Sequence, residues 1–145
     1  MQRVVLDTNV AISAALSKQG APAKVYELVL EGKLLNFTTV SILQELEEVF
    51  QRFIQRRKMQ PAQKEFMMQT FKLKSFTINS KFDERIVTQD PADNKFINCA
   101  LTAKALIISG DKHLLRIKQF GGIRIFSPSS FLKYYLRSPL TNPKS

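Results

Sequence analysis

Arg3-Val4-Val5-Leu6-Asp7-Thr8-Asn9-Val10 decides the fold. Val4, Val5 and Leu6 are consecutive apolar residues, two of them β-branched. Such a run reads as a strand covered on both faces, as strands of a parallel sheet are. It stops at Asp7, an acid where the strand meets its first loop. In open α/β sheets ligands sit beyond the carboxyl ends of the strands, so Asp7 stands where chemistry is done. Asp7 and Asn9 are also residue types that cap helices well. This segment alone leaves both readings open, and three further acids at comparable places shift the balance.

Outward from that strand, the pattern alternates. Residues 10–16 and 23–30 read as two short helices, with Pro22 suited to a first helical position and Gly32 to a stop. Residues 33–39 read as a strand. Ser41, with Gln44 three residues on, fits a capping box and opens a helix to about Arg57. A helix over 61–73, a strand over 75–78 and an extended piece at Arg85-Ile86-Val87 follow. Asp90-Pro91-Ala92-Asp93 looks like a helix start, and the helix runs through Phe96, Ile97, Cys99 and Ala103. Residues 105–109 form the second strongly buried strand, ending at Gly110-Asp111. A short helix over 112–117, a turn at Phe120-Gly121-Gly122, a strand over 123–126 and a helix over 131–136 complete the pattern. The expected architecture is one domain, residues 1–136, in three α/β/α layers with a mostly parallel central sheet. Residues 137–145 are expected to form a flexible C-terminal tail.

Composition narrows the partners. The 145 residues carry 22 Lys+Arg against 12 Asp+Glu, a formal net charge of +10. Such a surface favours polyanions, nucleic acid before anionic membrane. No apolar run approaches the ~20 residues needed to span a bilayer, and the opening is too short for a leader. The single cysteine, Cys99, excludes an internal disulfide and lies in an apolar helical pattern, which points to a core residue and a reducing, cytoplasmic setting.

The acids carry the chemistry. Asp7 and Asp111 each end an apolar strand; Glu45 and Asp93 each lie in the first turns of a helix. Singly, each has a structural use: Asp111 can cap the helix from Lys112, and Asp93 suits a helix start. In a parallel α/β sheet, however, strand ends and helix starts share one edge, so the four carboxylates can meet in one cleft. Unpaired there, they would repel and some would protonate. A hard divalent cation, Mg²⁺ or Mn²⁺, relieves this with oxygen ligands alone. It can also activate water and steady the charge on a phosphodiester. Asn9 and Ser109 are the polar helpers nearest the strand ends, and Asp90 is an extra acid close by. Arg52, Arg56, Arg57 and Lys58 form a basic cluster late in the long helix, available to phosphates or simply solvated. His113 reads as a surface or capping residue.

These residues carry a resemblance. Leu6-Asp7-Thr8-Asn9, Ser41 followed by Glu45, Asp90-Pro91-Ala92-Asp93-Asn94-Lys95-Phe96 and Ser109-Gly110-Asp111-Lys112-His113-Leu114-Leu115 together resemble the PIN-domain ribonucleases. They are most similar to the toxin branch of prokaryotic toxin–antitoxin systems, over about residues 3–132. The resemblance implies a Mg²⁺- or Mn²⁺-dependent endoribonuclease, often a homodimer, silenced by an antitoxin. Its acidic tetrad falls on Asp7, Glu45, Asp93 and Asp111 as catalytic and metal-holding residues. Ser109 takes the place of the small polar residue before the last acid, and Asn9 that of the first-motif Asn. Exposed positions among Met67, Met68 and Phe71 are expected to serve a dimer or antitoxin surface. Two other readings compete: a non-catalytic RNA- or protein-binding domain, and a phosphatase of the haloacid-dehalogenase type. The latter wants an acid at position 9 and Thr or Ser at 11, where this chain has Asn9 and Ala11.

Overall fold

A computed structural model describes residues 1–85, 87 and 91–137. Strand β1 (Gln2–Leu6) lies at the centre of a six-stranded sheet. On one side it pairs in parallel with β2 (Leu34–Thr38), which in turn pairs with the edge strand β3 (Ser75–Thr77). On the other it pairs in parallel with β4 (Leu106–Ile108), followed by β6 (Ile123–Phe126). The far edge, β5 (Gln119–Phe120), is a two-residue antiparallel arm of a hairpin closed at Gly121-Gly122. Both glycines have positive φ, 56° and 82°, which the tight turn requires. The sequence supplied the turn but not β5, because two residues carry no readable alternation.

The buried runs explain the layers. In β1, Val4 and Leu6 face one side and Val5 the other; in β4, Leu106 and Ile108 face the first side and Ile107 the second. The first face packs against α1 (Thr8–Leu16), α2 (Ala21–Leu30), α4 (Pro61–Leu73) and α7 (Pro128–Arg137). The second packs against α5 (Asn94–Ala103) and α6 (Lys112–Ile117), through Phe96, Ile97, Cys99 and Leu114. The long helix α3 (Val40–Gln55) joins both, with Ile42 on the second face and Leu46 and Phe50 on the first. This is the three-layer, mostly parallel α/β/α fold expected. Cys99 is fully buried and burial pushes its thiol up to about 12, so it is an inert core residue. Among the described residues, no helix is long and apolar enough to cross a membrane.

Three local expectations are corrected. The cap of α3 is Thr39, whose hydroxyl accepts from the Ile42 N–H at 3.3 Å, and Ser41 is an exposed residue inside the first turn. Thr39 directly follows β2 with extended backbone, so the chain turns helical two residues before a Ser41 capping box would allow. Met68 and Phe71 belong to the core, and the exposed apolar residues of α4 are Phe66 and Leu73. Asp93 is not inside the helix but ends a single 3₁₀ turn (Pro91–Asp93) and stands at the N-cap position of α5 without a side-chain capping hydrogen bond. Asp90 and Ile86 lie outside the described residues, as does the tail beyond Arg137.

Candidate active site

Register assembles the site. Leu6 pairs with Ile108, and the next N–H along β1, that of Asp7, donates to the Ile108 carbonyl at 3.0 Å. The chain therefore leaves β1 at Asp7 beside Ser109, where it leaves β4. Asp7 caps α1, its Oδ1 accepting from the Val10 N–H at 3.0 Å. Its Oδ2 accepts a short hydrogen bond from the Ser109 hydroxyl. Ser109 is fully buried, and its Oγ in turn accepts from the Asp111 N–H at 2.9 Å. Asp111 caps α6 through its Oδ1, which accepts from the His113 N–H at 2.7 Å. The two strand-end acids are thus tied through one hydroxyl, which orients both.

The charges there are in conflict. Asp7 is 2% exposed. Burial pushes its carboxyl up to about 6, the hydrogen bonds from Ser109 and Val10 pull it down, and the nearby charges of Asp111 and Glu45 push it up again. Glu45 comes from the start of α3. Its Oε2 accepts a short hydrogen bond from the Thr8 hydroxyl, and its Oε1 lies 2.6 Å from the Lys95 ammonium. Lys95 follows Asp93 by two residues in the first turn of α5. Asp93 is buried, 7% exposed, at the turn into that helix.

The segment carrying Asp93 and Lys95 is held by two asparagines one turn apart on α5. The Asn94 side chain accepts from the Val87 N–H at 2.8 Å and donates to the carbonyls of Val87 and Pro91. Asn98 accepts from the Glu84 N–H at 2.8 Å and donates to the Glu84 carbonyl. Both are buried amides acting as a backbone partner for a loop, which is how buried polar groups are satisfied. A cavity of about 690 Å³ opens beside this clamp, lined among others by Ser41, Arg85, Asn94, Lys95 and Asn98.

Four of the residues nominated from sequence stand in mutual contact or influence: Asp7, Glu45, Asp111 and Ser109. Asn9 is exposed, and the helper at this point of α1 is its neighbour Thr8. Arg52, Arg56, Arg57 and Lys58 are exposed. They lie at the end of α3 away from Glu45, Arg52 already roughly 10 Å along the axis at 1.5 Å per residue. Thr8, Lys95, Asn94 and Asn98 were missed as site residues. Lys95 and Asn94 stood within the quoted Asp90–Phe96 motif, and the spacing of Asn94 and Asn98, four apart on a helix, was the available signal.

A divalent ion is tested by this donor set. Among the described residues, no group of three or more acidic, His or Cys side chains is arranged to hold a metal ion together. The chemistry nevertheless fits: the side chains are hard oxygen donors, and burial, with Asp111 and Glu45 nearby, makes the charged form of Asp7 costly. Mg²⁺ asks for only one or two carboxylates and keeps several waters. Asp7 and Asp111, both bonded to Ser109, offer such a pair, and Glu45 is near enough to act on the Asp7 carboxyl.

The family model described as PIN domain matches residues 3–113. The uncharacterized protein MJ1680 of Methanocaldococcus jannaschii is 35% identical over 125 residues, covering 80% of this chain and 75% of that protein. Among solved structures, the crystal structure of VapBC2 from Rickettsia felis bound to a DNA fragment from their promoter matches with a TM-score of 0.60. That match covers 87% of this chain and 98% of that one at 12% identity, so the likeness is one of fold. With the family model spanning from β1 to the start of α6, and so every strand end that carries an acid, the chain belongs to the PIN-domain family.

Proposed function

We propose that this protein is a metal-dependent endoribonuclease, using Mg²⁺ or Mn²⁺ at Asp7, Glu45, Asp93 and Asp111. PIN domains are generally nucleases that use divalent metal ions. The observation that carries the reading is the buried Asp7 carboxyl, held by Ser109 and pushed up to about 6 beside Asp111 and Glu45. A protein gains nothing in stability from such a charge, and a cation at that point removes the conflict.

When bound, the ion activates a water and stabilises the charge that develops on a phosphodiester. The chain's own residues do the rest. Asp7, Asp93 and Asp111 hold the ion directly or through water. Ser109 fixes the Asp7 carboxylate by donating to Oδ2 and the Asp111 backbone by accepting from its N–H. Glu45, held at one oxygen by Thr8, orients the attacking water. No side-chain nucleophile is required. The +10 surface draws the polyanion toward an edge that would otherwise repel it.

The same reading makes the protein the toxin of a toxin–antitoxin pair, restrained by an antitoxin protein, homodimeric and cytoplasmic. The Rickettsia felis neighbour is titled as a VapBC2 assembly, which supports this role through a shared fold. The Glu45–Lys95 pair favours the alternative, a non-catalytic RNA-binding domain, since it occupies one of the four acids.

An oligoribonucleotide incubated with Mg²⁺ or Mn²⁺, with EDTA, and with Asp7→Asn separates the two. Cleavage confined to the wild type with metal is the expected result. Binding without cleavage under every condition, or equal cleavage by Asp7→Asn, overturns the nuclease.

A further inference from the structure

We infer that Lys95 is the resident counter-cation of the acid cluster, which a divalent ion must displace from Glu45 in order to bind. This rests on the metal reading of the same site and deepens it into a statement about how that site is regulated.

The Lys95–Glu45 contact is unlike the other ion pairs. Its 2.6 Å separation is shorter than those of Lys33–Glu31, Lys64–Glu47 and Arg85–Asp83, at 3.5, 3.4 and 3.2 Å. The side chains of Lys95 and Glu45 are 19% and 25% exposed, whereas each of those pairs has an acid at least 44% exposed. With Thr8 on the second oxygen, both ends of the Glu45 carboxylate are engaged by protein donors. Among the described residues the acids do not stand as a chelating group of three, and Glu45 is turned to Thr8 and Lys95 instead.

A lysine ammonium supplies one positive charge where the cluster has three negative ones. It lessens their repulsion without ending it. A divalent ion beside Asp7 and Asp111 would be repelled by the ammonium and attracted by the carboxylate it covers. Among the described residues there is space for the ammonium to move into. The Lys95 side chain borders the 690 Å³ cavity and a second hollow of about 350 Å³ that shares Ser41 and Asn98 with it. On leaving Glu45 the ammonium has polar, open space on both sides, and a flexible four-carbon stem with which to reach it. Lys95 thereby raises the metal concentration at which the site fills, and it keeps the empty cluster stable.

The test is Mn²⁺ affinity by calorimetry together with the melting temperature in EDTA and in Mn²⁺, for wild type, Lys95→Met, Lys95→Gln and Lys95→Arg. The uncharged variants are expected to bind Mn²⁺ about fivefold tighter or more and to melt lower in EDTA, with the deficit closing in Mn²⁺. Lys95→Arg, which keeps the charge, is expected within about twofold of wild type. Unchanged or weaker Mn²⁺ affinity in both uncharged variants overturns the inference, as does an equal loss of melting temperature with and without metal. If wild type binds Mn²⁺ and Asp7→Asn does not, that failure belongs to Lys95 alone. If wild type and all variants bind no Mn²⁺, the metal reading falls and this inference with it.

Discussion

Asp7 sets what can be learned at the scale of single residues. Its carboxyl titrates near 6 in the fold against an ordinary 3.8, so between those values the folded protein holds a proton that the unfolded chain has lost. The sign follows: in EDTA, stability falls as pH rises from about 4 through about 6, by an amount on the order of 3 kcal/mol for such a shift. Asp7→Asn removes the charge, and should therefore be about 1–3 kcal/mol more stable than wild type at pH 8 in EDTA while losing metal-dependent cleavage. Thermal melts of both proteins from pH 4 to 8 check this; a variant no more stable at pH 8, with an unchanged pH slope, contradicts it. Ser109→Ala leaves Asp7 without its hydroxyl donor and the Asp111 N–H without its acceptor. It should cost about 1–3 kcal/mol in a chemical melt and weaken Mn²⁺ binding. Asp7, Ser109 and Asp111 were legible in the sequence because each ends or follows an apolar strand. Thr8 and Lys95 were not, since their partner Glu45 lies 37 and 50 positions away and only the packing of α3 against α1 and α5 joins them.

The elements explain which parts of the chain could be read and which could not. β1 and β4 announced themselves as apolar runs, and their parallel register alone brings two acids side by side. The start of α3 was misplaced because Thr39 and Ser41 are both good capping residues. What decides between them is the end of β2, fixed by pairing of Thr38 with Thr77 across the sheet, a long-range fact. Thr39→Ala should accordingly cost about 1 kcal/mol and Ser41→Ala almost nothing, by urea denaturation. Equal effects would restore the Ser41 cap. In α4 the helical period was plain, but Met68 and Phe71 turn inward while Phe66 and Leu73 face out. A period gives the spacing of a face, and only the neighbouring helix gives its direction.

For the whole molecule, charge and site work together. A surface of +10 surrounds an edge where acids collect, and the basic residues at the far end of α3 lie away from that edge. RNA held mainly through its backbone should dissociate steeply with salt, with a slope of roughly −0.7 per neutralised phosphate on a log–log plot. For Asp7→Asn, proposed to bind without cutting, affinity for an oligoribonucleotide should fall about tenfold or more between 50 and 200 mM salt. A flat salt response would remove the backbone from the account. Carboxylates from distant parts of the chain are proposed to share a divalent ion at the carboxyl edge of the sheet. Anomalous diffraction from crystals soaked in Mn²⁺ measures this directly. An anomalous peak between Asp7 and Asp111, with Lys95 withdrawn from Glu45, is the expected result; the absence of any peak at that edge, with the Lys95–Glu45 pair intact, would overturn a shared metal site.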